Sequence, residues 1–162
     1  MIPPLPSGPT VTSLTAAFCA ELRARGFAGD LTMAEADRTV LATDNSIYQI
    51  MPQAIAFPRD RDDLVRIATL LAEERFVAVR IAPRGGGTGT NGQSLTDGIV
   101  VDLSRHMNRI LAIDPVRRTA RVEAGVVKDQ LNAALAEHGL FFAPELSTSD
   151  RATIGGMIAT DA

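Results

Sequence analysis

The stretch Pro83-Arg84-Gly85-Gly86-Gly87-Thr88-Gly89-Thr90-Asn91-Gly92 is the most informative part of this 162-residue sequence. Five of its ten residues are glycine, and most of the others carry short hydroxyl or amide side chains. A glycine-rich backbone loses much conformational entropy on ordering, so a fixed loop of this composition needs a compensating interaction. Glycine also permits positive φ, which lets successive N–H groups converge on an anion. We therefore expect this loop to bind an anionic ligand, with Arg84 as a cation at its entrance.

Apolar segments on both sides of the loop predict strands that anchor it. Residues 76–81 are dense in β-branched side chains, and residues 98–103 form a nearly continuous apolar run. Further from the loop, the patterns predict helices at 12–25, 33–42, 60–74 and 128–138, a strand at 54–57, a hairpin at 110–124 and a helix that begins near 153. This order indicates a mixed α+β fold with short strands and flanking helices, because it lacks the long βαβαβ alternation of a doubly wound fold.

Composition excludes several classes of protein. A formal net charge of -3 provides no broad basic surface, so nucleic acid is not an expected partner. No segment approaches the roughly 20 apolar residues of a membrane-spanning helix, so no integral membrane segment is expected. The single cysteine, Cys19, cannot form an internal disulfide, and its apolar neighbours indicate a core residue in a cytoplasmic protein. His106 and His138 lack metal-ligand spacing, so no metal site is predicted.

Three other interpretations of the glycine-rich loop were weighed. Residues 87–92 formally match G-x-G-x-x-G, but a Rossmann motif requires a helix that begins inside the pattern, and here a turn and a strand follow. A P-loop would require Gly-Lys-Ser or Gly-Lys-Thr, which this run does not contain. A flexible surface loop without a ligand is the third alternative, and the apolar strands predicted on both sides disfavour it.

A second segment adds small polar groups and glycines. Pro144-Glu145-Leu146-Ser147-Thr148-Ser149 leads to Thr153-Ile154-Gly155-Gly156. Alone, this pattern indicates a turn and the start of a helix. Together with the glycine-rich loop, it predicts a second group of donors that covers the far side of the same ligand.

The combination of segments 83–92, 98–104, 108–114, 122–125 and 153–161 resembles the FAD-binding domain of the vanillyl-alcohol-oxidase, or PCMH-type, flavoproteins. The similarity covers residues 47–162 and is strongest to the branch of FAD-linked dehydrogenases of D-2-hydroxy acids such as D-lactate, glycolate and D-2-hydroxyglutarate. It implies a PCMH-type domain at 47–162, whereas the Pro- and Gly-containing start of the chain indicates a flexible arm at 1–11 and the helical patterns indicate a helical segment at 12–46. Because the family's domain continues further, we expect a fragment, in which Ile154, Met157 and Ile158 lack partners to bury them.

The resemblance also implies the residues of the cofactor site. Those expected to hold the FAD pyrophosphate are Arg84, Gly85, Gly86, Gly87, Thr88, Gly89 and Thr90. Those expected to line the flavin or its ribityl–phosphate arm are Pro144, Thr148, Thr153, Gly155, Gly156 and Asp161. Relatives with covalent flavin often have histidine at the position of Thr88, so FAD is expected to be noncovalent here. Many relatives have asparagine in place of Asp161.

The implied reaction is oxidation of a small 2-hydroxy acid, with an electron acceptor that the sequence does not identify. The catalytic residues, and an iron–sulfur cluster if there is one, are expected outside these residues, so no catalytic residue is assigned. Relatives suggest that the neighbourhood of Tyr48 lies near the cofactor, and ordinary core packing is the alternative. The competing function is a stand-alone nucleotide- or phosphate-binding module without redox activity.

Overall fold

The computed structural model describes residues 10–161 and divides them into two compact units. The first unit comprises the described chain up to Pro83 together with Gly89–Val101, and the second comprises Arg84–Thr88 and the residues from Asp102 onward. Most of the arm predicted at 1–11 lies outside the described residues. The division predicted between residues 46 and 47 stays a prediction.

A four-stranded mixed sheet is the centre of the first unit. Its strands are β1 (Asp30–Thr32), β2 (Ala54–Phe57), β3 (Ile81–Arg84) and β4 (Ile99–Asp102), arranged in the order β1-β2-β4-β3. β1 is antiparallel to β2, and β2 is parallel to β4. Every residue of β2 and β4 is buried, as their apolar residues predict, and Asp102 at the end of β4 is a buried polar residue. The last residues of β3 and β4 belong to the second unit.

Three helices accompany this sheet: α1 (Ser13–Ala24), α2 (Glu35–Val40) and α3 (Arg61–Leu71). The side chain of Thr12 caps α1 by accepting a hydrogen bond from the Thr15 amide, and Asp60 caps α3 in the same way through the Asp63 amide. The predicted starts of α1 and α3 are confirmed, whereas α2 is shorter than predicted. Phe18 of α1 packs edge-on against Phe76, with 5.3 Å between the ring centroids.

The strand predicted at residues 76–81 is wrong. Residues Glu74–Phe76 form a 3-10 helix that buries Phe76, and Val77 is 78% exposed. The strand begins instead at Ile81 and includes Pro83, a residue that we assigned to the loop. Because β3 is an edge strand, the missing N–H of Pro83 removes no hydrogen bond from the interior of the sheet. Strand β1 was not predicted, because its three residues are too few to show an alternating pattern.

The second unit contains the predicted hairpin and two helices. Strands β5 (Ile110–Asp114) and β6 (Thr119–Val122) pair antiparallel, and α4 (Lys128–Ala136) and α5 (Ile154–Thr160) follow. Their core cluster consists of Val126, Leu131, Leu135, Ala152, Ile154 and Met157. The expectation that Ile154 and Met157 lack burial is therefore wrong. Both side chains are buried in this cluster with residues of α4 and with Ala152.

Ile158 of α5 lacks burial, as expected. It is 76% exposed and lines an open, largely apolar groove of about 940 Å³ together with Phe141, Leu131 and residues of β6. No helix within residues 10–161 has both the length and the apolar character needed to cross a membrane. The same residues contain no group of three or more His, Cys, Asp or Glu side chains arranged to bind a metal ion.

Candidate functional site: a backbone anion nest

The first half of the glycine-rich loop, residues 85–88, presents a run of unsatisfied backbone donors in the second unit. None of these four N–H groups donates a hydrogen bond to any acceptor in the described part of the chain. Gly86 is exposed and the other three residues are half-buried, so water or a bound ligand can supply the missing acceptors. Gly87 has a φ of 64°, and a left-handed residue in such a run turns neighbouring N–H groups toward a common point. The donors without acceptors and the left-handed Gly87 are two features of an anion-binding nest.

Two glycines of this nest are required by packing against the protein itself. A Cβ atom on Gly85 would overlap the hydroxyl oxygen of Thr153, and one on Gly86 would overlap the carbonyl oxygen of Arg151. The structure thus brings the predicted loop together with the predicted segment before α5. Glycine is therefore required at positions 85 and 86 by packing within the protein. The sequence pattern indicates only a requirement imposed by the ligand.

Arg84 places a cation beside the nest. Arg84 is only 9% exposed, and a Cβ atom on Gly87 would lie 2.5 Å from the Nη2 atom of Arg84. The carbonyl oxygen of Arg84 accepts a hydrogen bond of 2.9 Å from the Leu103 amide, which holds the end of β3 in place. The guanidinium therefore lies against the glycine backbone rather than extending into solvent, and its charge favours an anionic ligand at this position.

The residues predicted around the start of α5 have protein partners in this structure. The Gly155 amide donates to the Ala124 carbonyl at 2.9 Å, and the Gly156 amide donates to the Thr153 hydroxyl at 3.3 Å. Gly155 also lies so close to Ala124 that an added Cβ would be 2.7 Å from the alanine Cβ. These two glycines therefore serve close packing and capping, and their contact with a cofactor stays a prediction.

The remaining predicted residues of the second unit lie on either side of that helix start. Thr148 accepts hydrogen bonds through its carbonyl oxygen from the amides of Arg151 and Ala152, at 2.9 and 2.8 Å, and so forms the turn that carries residues 151–153. Pro144 is half-buried in the extended segment before this turn. Asp161 ends α5 with φ 54° and ψ 46°, a left-handed conformation that asparagine and aspartate tolerate better than most residues.

The second half of the loop belongs to the first unit. The amides of Gly89 and Thr90 likewise have no acceptor within residues 10–161, whereas the Asn91 amide donates to the Gln93 side chain at 3.1 Å. The ring of Tyr48 lies beside Gly92, where an added Cβ would be 3.0 Å from the Tyr48 Cδ2 atom. Tyr48 is 53% exposed, so ordinary core packing does not describe it.

Cys19 is a core residue, as its sequence context predicts. It is buried in α1, and burial raises the pKa of its thiol, which disfavours the reactive thiolate. Lys128 is a buried polar residue that the sequence pattern does not reveal, since that pattern indicates only the start of a helix. Its side chain is 4% exposed, and the available signal was that it is the only lysine in the sequence.

Glu123 is expected to stabilise the second unit in a pH-dependent way. It accepts hydrogen bonds from the Arg109 guanidinium at 2.7 Å and from the Arg109 amide at 2.8 Å, and these hold the pKa of the Glu123 carboxyl below its ordinary value. We expect Glu123→Gln to cost about 1 kcal/mol at pH 7, because Arg109 is largely in solvent. The stabilisation is complete above the unfolded pKa, about 4.3, and is lost as the pH falls through the lower folded value.

Unfolding of wild type and Glu123→Gln in urea, measured at intervals from pH 7 to pH 2.5, checks this prediction. The difference in unfolding free energy should close at the acidic end. A difference that stays constant or grows on acidification would contradict it.

Comparisons with known proteins identify the family of this chain. A family model described as the FAD binding domain matches residues 52–162. D-2-hydroxyglutarate dehydrogenase of Pseudomonas putida is 69% identical over 145 residues, which cover 90% of this chain and 14% of that protein. A glycolate oxidase subunit of Bacillus subtilis is 43% identical over 112 residues, which cover 68% of this chain and 23% of that subunit.

Among solved structures, an alkyldihydroxyacetonephosphate synthase superimposes with a TM-score of 0.79 over 96% of this chain and 33% of its own, at 23% identity, which shows a shared fold. The chain thus spans a small part of the length of the relatives that it matches. Its sequence from residue 52, its mixed α+β fold and its glycine-rich loop agree with one another, and the chain belongs to the FAD binding domain family.

Proposed function

We propose that this chain is the FAD-binding part of a flavin-dependent dehydrogenase that oxidises a D-2-hydroxy acid, with D-2-hydroxyglutarate as the first substrate to test. The observation that supports it most strongly is the run of four unsatisfied amides at residues 85–88 beside the buried guanidinium of Arg84. This donor set fits a diphosphate, which presents several anionic oxygens at once. The similarity to D-2-hydroxyglutarate dehydrogenase and to a glycolate oxidase subunit supports the substrate class.

In this proposal the residues of the chain bind and orient the cofactor. The amides of residues 85–88 donate to the diphosphate, and Arg84 adds a positive charge at the side of the nest. Bound FAD would accept the hydride equivalent from the α-carbon of the substrate. Thr88 has no imidazole to form a covalent flavin link, so binding is noncovalent. No residue of this chain is assigned as the general base or as the binding site of the substrate carboxylate, and we place the protein in the cytoplasm.

The full-length protein, purified without added cofactor, is expected to be yellow and to show flavin absorption bands. Acid precipitation should release all of the flavin into the supernatant, because no covalent bond retains it. Addition of D-2-hydroxyglutarate should bleach the bands and reduce an artificial dye, and D-lactate and glycolate serve as comparison substrates. A protein that binds a nucleotide but never a flavin, after reconstitution with FAD, would favour the alternative of a binding module without redox activity.

A further inference from the structure

Lys128 occupies an unfavourable position for a residue with a purely structural role. It is the only lysine among sixteen basic residues, and its side chain is 4% exposed. Its Nζ atom has one acceptor within residues 10–161, the Glu145 carboxylate at 3.5 Å, and that carboxylate is 85% exposed. Two of the three ammonium protons therefore have no acceptor there. A long contact with a solvated carboxylate compensates little of the cost of burying a charge.

The position of Lys128 in its helix adds to this cost. It is the first residue of α4, where the helix dipole disfavours a positive charge. An apolar side chain of similar length would fill the same space without either penalty, and buried ion pairs are often replaced in this way without loss of stability. Its positive charge is therefore better explained by a role in binding an anionic ligand.

The backbone of Lys128 supports the segment on which the nest rests. Its amide donates to the Ala152 carbonyl at 3.0 Å, and the neighbouring Asp129 amide donates to the Ser149 carbonyl at 3.2 Å. Ala152 lies between Arg151 and Thr153, the two residues in contact with Gly86 and Gly85. The first turn of α4 thus lies directly behind the segment that holds the nest.

We propose that Lys128 is a buried cationic residue of the cofactor site, which holds the segment behind the nest and supplies positive charge to the diphosphate of bound FAD. This inference rests on the proposed function, since it assumes that the nest at residues 85–88 binds that diphosphate. Lys128 acts as a positioning residue: its amide holds Ala152 in the supporting segment, and its buried charge favours an anion bound against that segment.

The test compares the affinities of the full-length apoprotein for FAD and for riboflavin, which lacks phosphate. Lys128→Met is expected to weaken FAD binding about tenfold and to leave riboflavin binding unchanged, because only FAD carries the diphosphate. Lys128→Arg retains the charge and should bind FAD within about threefold of wild type. Arg117→Met is the matched control: it also removes one positive charge from the second unit, but its side chain is 83% exposed, and its FAD affinity should equal that of wild type.

Equal loss of FAD and riboflavin affinity in Lys128→Met would show that Lys128 is merely structural, and unchanged FAD affinity would show that its charge does not act on the diphosphate. Lys128→Gln is a second neutral variant, and failure of both neutral variants to fold would also overturn the proposal. A wild-type protein that binds neither FAD nor riboflavin would instead refute the proposed function. The two failures are therefore distinguishable.

Discussion

Gly86→Val is expected to abolish flavin binding and to destabilise the segment around residues 148–156 by about 3 kcal/mol or more. Even the Cβ atom of the new side chain would overlap the Arg151 carbonyl oxygen. Because the obstacle is backbone, no change of side-chain rotamer can relieve the overlap, and the loop must move away from residues 151–153. That movement would separate the amides of residues 85–88 from the cation at Arg84 and so destroy the nest.

Two measurements check this prediction in the full-length protein. The ratio of flavin absorbance to protein absorbance should fall to near zero, and hydrogen–deuterium exchange should accelerate across residues 148–156. Gly139→Ala is the matched control: Gly139 has a φ of 65° but open space around its Cβ position, so the substitution should cost only about 1 kcal/mol and retain flavin. Wild-type flavin content in Gly86→Val would show that FAD binds elsewhere.

Asp63→Ala is expected to destabilise the first unit by about 3–5 kcal/mol. Asp63 is completely buried, and its carboxylate accepts hydrogen bonds from the amides of Ala28 and Arg59, both at 2.9 Å, and from Arg66 at 3.2 Å. These bonds join the start of α3 to the chain that follows α1. Alanine would leave two backbone donors without their acceptor, and an unsatisfied buried donor costs more than the net value of the bond.

Urea unfolding followed by circular dichroism measures this effect, with Asp62→Ala as the control. Asp62 is the neighbouring residue in the first turn of α3 but is exposed, so its substitution should change the unfolding free energy by less than about 1 kcal/mol. An equal effect of the two substitutions would show that the buried hydrogen bonds of Asp63 do not stabilise the unit. Asp63→Asn retains an acceptor oxygen and should be intermediate.

The contrast between β4 and β3 shows where prediction from sequence succeeds and fails in this fold. β4 is identified by composition alone, because its three consecutive residues Ile99–Val101 are apolar, as expected of a strand buried on both faces. Composition does not identify β3. An edge strand can include Pro83 and end in Arg84, and the β-branched residues 77 and 79 lie outside this strand. Whether a strand can be recognised from composition depends on its position in the sheet, and that position is set by partner strands distant in sequence.

The sequence alone determined the features that depend on neighbouring residues: the helix caps at Thr12 and Asp60, the buried strands β2 and β4, and the glycine-rich loop as a candidate anion site. Only the tertiary structure decided that Gly85 and Gly86 pack against residues 151–153, that the Gly155 amide already has an acceptor, and that Lys128 is buried with its amide bonded to Ala152. The physical reason is that the same glycine composition suits a ligand or a close backbone contact, and that a lysine at a helix start is ordinarily exposed. Their roles are therefore set by which distant segments approach them, and local composition does not encode that approach.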